Sequence, residues 1–398
     1  MNVLLYTAVC MIKMHRLSQR LSSISICMSH LKPLNRPQLD LLDLDLRDDP
    51  IRLKSWIIQQ ALDLGFSACG IAAPDTRDQM PYFLANLDEG FFGEMDYLSR
   101  NLDKRADPTL LVEGTKSVIS VRMDYLTEAA PHRYIPEQPN QAIVARYARG
   151  RDYHKVLRAR LKQLAQRIEA KIGAFNSRPF TDSAPIFEKS LAQNAGLGWT
   201  GKHTLLINKQ AGSYFFLGEL FTDLELPPDT PASAHCGSCT ACIDICPTQA
   251  IVAPYRLDAR RCIAYLTIEY QGIIPIDLRR GIGNRVFGCD DCQLICPWNG
   301  FAKLSAEADF LARHQLNDIS LLAMWQWSEA DFLAKTEGSP IRRTGYAGMM
   351  RNVAVALGNA PYQAEIVQAL AARREELGEM VQVHVDWAIE EQLGKWEG

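Results

Sequence analysis

Between Asp152 and Gly173 the residues Leu157, Leu161, Leu164, Ile168 and Ile172 recur at steps of four and three. That spacing gathers them on one side of an α-helix, so this stretch is predicted to be amphipathic and to lie on a core. Upstream, the pattern predicts a helix over Lys54–Leu64, stopped by Gly65, and a short strand over Ala68–Ala72 running into Pro74. Ser117–Tyr125, Ala142–Tyr147, Thr204–Asn208 and Ser213–Asp223 read as strands, and Pro185–Ala195 as a helix. Alternation of this kind predicts an α/β domain over residues 50–226. Pro227, Pro228 and Pro231 then form a linker. After a cysteine-rich region, 227–301, the pattern turns helical over 302–398. Helices are predicted at Ala306–His314, Ser328–Lys335, Gly348–Leu357, Tyr362–Arg374 and Val381–Leu393, a short helical-repeat-like segment.

Residues 1–49 stand outside this regularity. The first 39 lack Asp and Glu and carry scattered Lys and Arg, as transit peptides do. The preferred expectation is a disordered extension ahead of the fold, with Met28 as an internal candidate start. At 398 residues the chain suits two or three domains. A net charge of −3 gives no global attraction to nucleic acid. Locally, Arg146, Arg149, Arg151, Lys155, Arg158, Arg160, Lys162, Arg167 and Lys171 outnumber Asp152 and Glu169. Arg342, Arg343 and Arg351 form a second basic set. Each set is a solvated face or a binding surface. No apolar run reaches the length of a membrane span.

Eight of the eleven cysteines fall between positions 236 and 296. Cys236, Cys239, Cys242 and Cys246 form C-x2-C-x2-C-x3-C, closed by Pro247; Cys289, Cys292 and Cys296 form C-x2-C-x3-C, closed by Pro297. A cubane cluster takes four thiolates, and in two-cluster ferredoxins the cysteine before the proline serves the other cluster. The spacing therefore assigns Cys236, Cys239, Cys242 and Cys296 to one 4Fe–4S cluster. Cys246, Cys289 and Cys292 belong to a second, completed by Cys262. Zinc and disulfides fit less well, because neither needs a third cysteine at the same step or the trailing prolines. Thiols held for clusters imply a reducing compartment, the cytoplasm. Cys10, Cys27 and Cys69 read as small hydrophobes.

Gly196, Gly198 and Gly201 match G-x-G-x-x-G, and Gly201-Lys202 nearly ends a P-loop. Both motifs must follow a strand and open a helix. This one follows a helix and leads to a strand, and His203 stands where a P-loop has Ser or Thr. It is either a cofactor loop or a tight helix-to-strand turn. Just upstream, Asp182 in Phe180-Thr181-Asp182-Ser183-Ala184-Pro185 is either a helix N-cap or a catalytic group.

Several of these pieces together resemble the epoxyqueuosine reductase family. They are Thr181-Asp182-Ser183-Ala184-Pro185, Ala195-Gly196-Leu197-Gly198-Trp199-Thr200-Gly201-Lys202, Arg149-Gly150-Arg151-Asp152-Tyr153-His154, Cys289-Asp290-Asp291-Cys292-Gln293 and Cys296-Pro297-Trp298-Asn299. The resemblance spans roughly residues 50–395. It implies a cobalamin-binding α/β domain, a ferredoxin-like domain with two 4Fe–4S clusters and a helical C-terminal segment. It implies reduction of epoxyqueuosine to queuosine at the wobble base of tRNA, the last step of queuosine biosynthesis, with cobalamin fed by an external one-electron donor through the clusters. By the same resemblance Asp182 is the proton donor, and Arg105 in Lys104-Arg105-Ala106-Asp107-Pro108 contacts cobalamin. Tyr153, His154 and Lys202 are further cofactor-binding candidates. Asp182 is expected to stay protonated if Pro179, Phe180 and Pro185 desolvate it. The basic stretches then become candidate tRNA contacts, and Trp199 and Trp298 either stack on a base or pack in the core. Two other functions are compatible with the cysteines: an iron–sulfur electron carrier, and a corrinoid reductive dehalogenase-like enzyme acting on a small substrate.

Overall fold

The computed structural model describes residues 46–128 and 138–396. The extension up to residue 45, with Met28, Cys10 and Cys27, lies outside the described residues. From Pro50 to the C-terminus the chain holds together as one compact unit.

Strands β1 (Ala68–Ala72), β2 (Ser117–Asp124), β3 (Ile143–Val144), β4 (Ser177–Phe180), β5 (Trp199–Thr200), β6 (Leu206–Ile207) and β7 (Phe215–Thr222) precede the cysteine region. Four of them build the main sheet in the order β1-β2-β7-β4. Every pairing in it is antiparallel. This corrects the α/β expectation, which implied parallel strands joined by helical crossovers. Hydrophobic pattern reports which residues are buried; it does not report which strand lies beside which.

β2 and β7 are buried along their whole length because helices cover both faces of the sheet. On one face the helix Tyr153–Ile172 lays its Leu157 and Leu161 against Gly218 of β7. A Cβ at Gly218 would meet Leu161 Cδ1 at 3.0 Å, so a larger residue would push the helix off the sheet. On the other face Leu191, Ala192 and Ala195, in and just beyond the helix Glu188–Asn194, share a cluster with Val118, Phe180, Phe215, Leu217 and Phe221. Along the sheet Gly70, Ser120, Glu219 and Phe180 form one cross-strand row. Its two polar members face the side of the shorter helix, because register partners point the same way.

Three local expectations change. Only Ile143–Val144 of the predicted strand 142–147 is extended, and it pairs in parallel with β10 (Arg285–Phe287), beyond the short hairpin of β8 (Ile251–Ala253) and β9 (Arg256–Leu257). The chain then turns at Arg146–Ala148. The predicted helix 306–314 is a turn-rich segment with one 3₁₀ turn at Ala308–Phe310. Its backbone groups bond outward instead of along a helix: Ser305 donates to Leu126 O, and Asp309 O accepts from Arg151. The C-terminal helices, including Gly345–Asn359 and Glu379–Trp396, share one core with Val144, Ile263, Leu266, Val286 and Phe287. They close over the cysteine region and do not stack as repeats.

Candidate functional site

Asp182 lies two residues beyond the end of β4. It is not a helix cap: the next helix starts at Glu188, with Phe187 at its cap position. Its backbone is left-handed, with φ of 50°, a conformation costing a non-glycine residue on the order of 1 kcal/mol and better tolerated by Asp than by most. Several side chains hold it there. The Tyr153 hydroxyl donates to Asp182 Oδ2. His154 Nε2 stands 3.7 Å from the same oxygen. The Asp182 amide donates to Glu188 Oε2 at 3.1 Å, and Arg158 donates to the neighbouring Ser183 Oγ at 2.9 Å.

The long helix aims the first two of these. Asp152 is its N-cap, accepting from the His154 amide at 3.1 Å and lying 2.8 Å from His154 Nδ1. Tyr153 and His154 follow in the first turn. Tyr153 is stacked on Phe216 at 4.1 Å. His154 therefore bridges two carboxylates. Burial works against its charge, but hydrogen bonds and attraction from Asp152 and Asp182 outweigh burial and lift it to about 9. Tyr153 is pushed well up, first by burial and then by Asp182, so it remains a donor.

For Asp182 the balance differs from the expectation. Burial raises its carboxyl, but hydrogen bonds from His154 and Tyr153, with His154 and Arg343 nearby, carry it below the usual carboxylate range. About half of the side chain, 53 %, remains exposed. At neutral pH the site is an ionised Asp182 beside an imidazolium and a phenol, instead of a neutral acid in an apolar pocket.

Arg105 is buried near the same loop, 7 % exposed, with Phe83 at 4.9 Å and Phe187 at 5.6 Å from its guanidinium carbon; its Nε has no hydrogen-bond partner. Lys202 goes elsewhere. Its Nζ donates to Gly237 O at 2.7 Å and Cys239 O at 2.8 Å, so it braces the first cysteine loop. The glycine loop leads from the helix Glu188–Asn194 into the β5–β6 hairpin, with Gly201 between the two strands, and a Cβ at Gly198 would sit 2.3 Å from Ile207 O. Its glycines serve close approach of the chain to itself. Trp199 is buried edge-on against Trp298 at 5.1 Å, which removes it from the base-stacking candidates. Arg351 is also a core residue, donating to Leu266 O, Tyr270 O and Gly272 O; it does not belong to a basic surface.

All eight cysteines of the region are free thiols, as is Cys69. Burial raises the Cys242 thiol to about 11, with the charges of Cys296, Cys236 and Cys239 next in size. Cys262 is influenced by Cys246, Cys289 by Cys292, and Cys292 by Cys262. Cys242 is thus within reach of the charges of Cys296, Cys236 and Cys239, and Cys262 within reach of the charge of Cys246. Cys292 also feels Cys242, so the two sets are neighbours. Among the described residues no three His, Cys, Asp or Glu side chains converge on a single-ion site. A cubane does not require that, because its four thiolates serve four irons. Amides point at several sulfurs, as from Ala250 to Cys246 Sγ at 3.2 Å. Gln293 and Asn299 tie the second cysteine run to Ser213, just ahead of β7.

The sequence resembles two family models: epoxyqueuosine reductase QueG, DUF1730, over residues 105–183, and a 4Fe-4S double cluster binding domain over residues 235–299. An epoxyqueuosine reductase of Pseudomonas aeruginosa is 54% identical over 343 residues, covering 86% of this chain and 95% of the relative. The chain belongs to the epoxyqueuosine reductase family. The Escherichia coli member is 50% identical over 350 residues, 88% of this chain and 91% of its own. An epoxyqueuosine reductase crystallised with a tRNA-Tyr epoxyqueuosine-modified stem loop superposes with a TM-score of 0.75 at 26% identity, covering 86% of this chain and 99% of that one. The Bacillus subtilis epoxyqueuosine reductase, with a catalytic aspartate loop swung out of its active site, superposes with a TM-score of 0.78 at 27% identity, over 86% and 90%.

Sequence reasoning passed over Glu188 and Glu219, both near Asp182, and read Arg343 only as part of a basic set. Glu219 was the most legible: it is the one charged side chain in the otherwise apolar strand Phe215–Thr222.

Proposed function

We propose that this chain reduces epoxyqueuosine to queuosine in tRNA, using two 4Fe–4S clusters and cobalamin. The observation that carries the proposal is the near-full-length identity with epoxyqueuosine reductases, over a chain whose fold gathers eight free thiols into two neighbouring sets. The reaction opens an epoxide to an alkene with two electrons and two protons, releasing water.

Cobalamin has support from unpartnered groups. Ser120 Oγ, Arg122 Nη1 and both Glu219 oxygens are buried without hydrogen-bond partners, as are Arg105 Nε and His203 Nε2, while Arg122 Nε and Asp124 Oδ1 pair with each other at 3.3 Å. Folded chains rarely leave so many buried polar atoms unsatisfied. Ser120, Arg122, Asp124 and Glu219 lie on one face of β2 and β7, and donors and acceptors of this kind would suit the amides of a corrin rim. When bound, the corrin's cobalt supplies low-potential electrons to the substrate carbon. The chain's own residues do the rest: the cysteines would hold the clusters, which would supply single electrons from an external donor, Arg105 binds the cofactor, and the domain of residues 50–226 encloses it. Asp182, with Tyr153 and His154, delivers a proton to the leaving oxygen. Because Asp182 is ionised in the resting site, that proton is held on His154 or Tyr153 and passes through the carboxylate.

The tRNA surface includes the exposed cations of the long helix, Lys155, Arg158 and Lys162, with Arg158 beside the Asp182 loop. No helix among the described residues is long and apolar enough to cross a membrane, and we place the enzyme in the cytoplasm with its tRNA. The test is anaerobic reconstitution with iron, sulfide and cobalamin, followed by nucleoside analysis of tRNA carrying epoxyqueuosine. Queuosine is the expected product. Its absence from fully loaded protein would overturn the proposal.

A further inference from the structure

Glu188 has no part in the proton delivery described above, yet its carboxyl touches the backbone of the residue that does. Oε2 accepts the Asp182 amide at 3.1 Å, and Asp182 is the residue held at φ of 50°. Losing that acceptor frees the loop to leave the left-handed region, because a strained residue persists only where its surroundings over-determine it.

Behind Glu188 lies Glu219 on β7, fully buried and with neither oxygen hydrogen-bonded. Its register partner on β4 is Phe180, two residues before Asp182. The charged and titratable groups facing Glu188 are Asp182 on the loop, His154 on the long helix, Lys189 on its own helix and Glu219 on the sheet. Lys189 is turned away, donating to Thr204 O at 2.7 Å. Arg343 and Tyr153 act on Asp182 itself. Three carboxyl groups crowded together do not all ionise. Asp182 keeps the charge, since His154 and Tyr153 stabilise it. Burial, and then the charge of Asp182, push Glu188 up to about 8.

We propose that Glu188 is a positioning residue: its carboxyl accepts the Asp182 amide and keeps the Asp182 carboxylate turned toward Tyr153 and His154. The proposal rests on the assignment of proton delivery to Asp182. A neutral carboxyl is mimicked by an amide of the same shape. Ionisation of Glu188 at alkaline pH keeps the amide bond but places a second negative charge beside the Asp182 carboxylate, which repels it from its position at Tyr153 and His154.

The experiment compares E188Q and E188A with the wild type, all holding clusters and cobalamin, on tRNA carrying epoxyqueuosine. E188A is expected to lose kcat by roughly a hundred-fold, the scale of a misplaced reacting group, with little change in KM. E188Q is expected to restore the rate at pH 7 and to lose the fall in kcat that begins in the wild type as pH rises through about 8, keeping only the later fall as His154 deprotonates at about 9. Hydrogen exchange at residues 181–185 should be faster in E188A than in E188Q. Three results would overturn the clamp: a wild-type rate in E188A, a rate in E188Q as low as in E188A, or an alkaline fall in E188Q that still begins at about 8. If E188A does not fold, the pH profile of E188Q decides alone. Failure of the Asp182 assignment is recognised separately, because the exchange difference reports the clamp without reference to turnover.

Discussion

At the scale of single residues, the chemistry turns on which carboxyl carries charge. Asp182 is half exposed yet held below the usual range by its neighbours, whereas Glu219, a few residues away across the sheet, is raised by complete burial. The difference lies in partners: Tyr153 and His154 donate toward Asp182, and nothing donates to Glu219. Asp182→Asn keeps the side chain's shape and an acceptor for Tyr153, but it removes the proton carrier. Positioned proton transfer is worth roughly a hundred- to ten-thousand-fold in rate. Single-turnover conversion of epoxyqueuosine is expected to fall on that scale, while cluster content, cobalamin absorbance and tRNA affinity stay near wild type. Full activity would remove Asp182 from the reaction.

At the scale of elements, the helix Tyr153–Ile172 does two jobs with two faces. Leu157, Leu161, Leu164 and Ile168 are buried. Its cations divide. Arg160 is engaged with Leu64 O and Glu307, whereas Lys155, Arg158 and Lys162 are exposed. Cations that neutralise phosphates release counterions, so binding falls steeply with salt. Reversing Arg158 and Lys162 to Glu is expected to raise the tRNA dissociation constant and flatten its salt dependence, measured by filter binding across a salt series. Unchanged affinity would return this face to ordinary solvation. The helix itself was plain in the sequence, because five apolar residues at helical spacing leave little choice. The segment 306–314 misled for the converse reason. Its apolar spacing fits a helix, but its backbone groups find better partners on Leu126, Arg149 and Arg151.

At the scale of the whole molecule, the proposed division of two cysteine runs and an isolated Cys262 into two four-thiol sets requires the chain to fold back on itself. Reconstituted protein is expected to hold about eight irons per chain. Cys262→Ala is expected to lose the second cluster and keep the first, read by iron analysis and electron paramagnetic resonance. Four irons in the wild type, unchanged by Cys262→Ala, would refute the two-cluster assignment.

What the sequence by itself determined is what short-range spacing can carry: the cysteine steps, the amphipathic helix, the strand Ala68–Ala72, the strand read as Ser213–Asp223 and found at Phe215–Thr222, and the family motifs. Each depends on residues a few positions apart, where backbone geometry alone sets which side chains meet. Tertiary structure decided the rest. Antiparallel pairing of β2 with β7 put Glu219 beside Ser120, and the turn after β4 brought Asp182 to Tyr153, His154 and Glu188. Lys202 and Arg351 were drawn to backbone carbonyls that no local pattern reveals. Protonation belongs to the same level. A carboxyl's charge depends on how much water its surroundings exclude and which donors reach it, and both are set by residues distant in the chain.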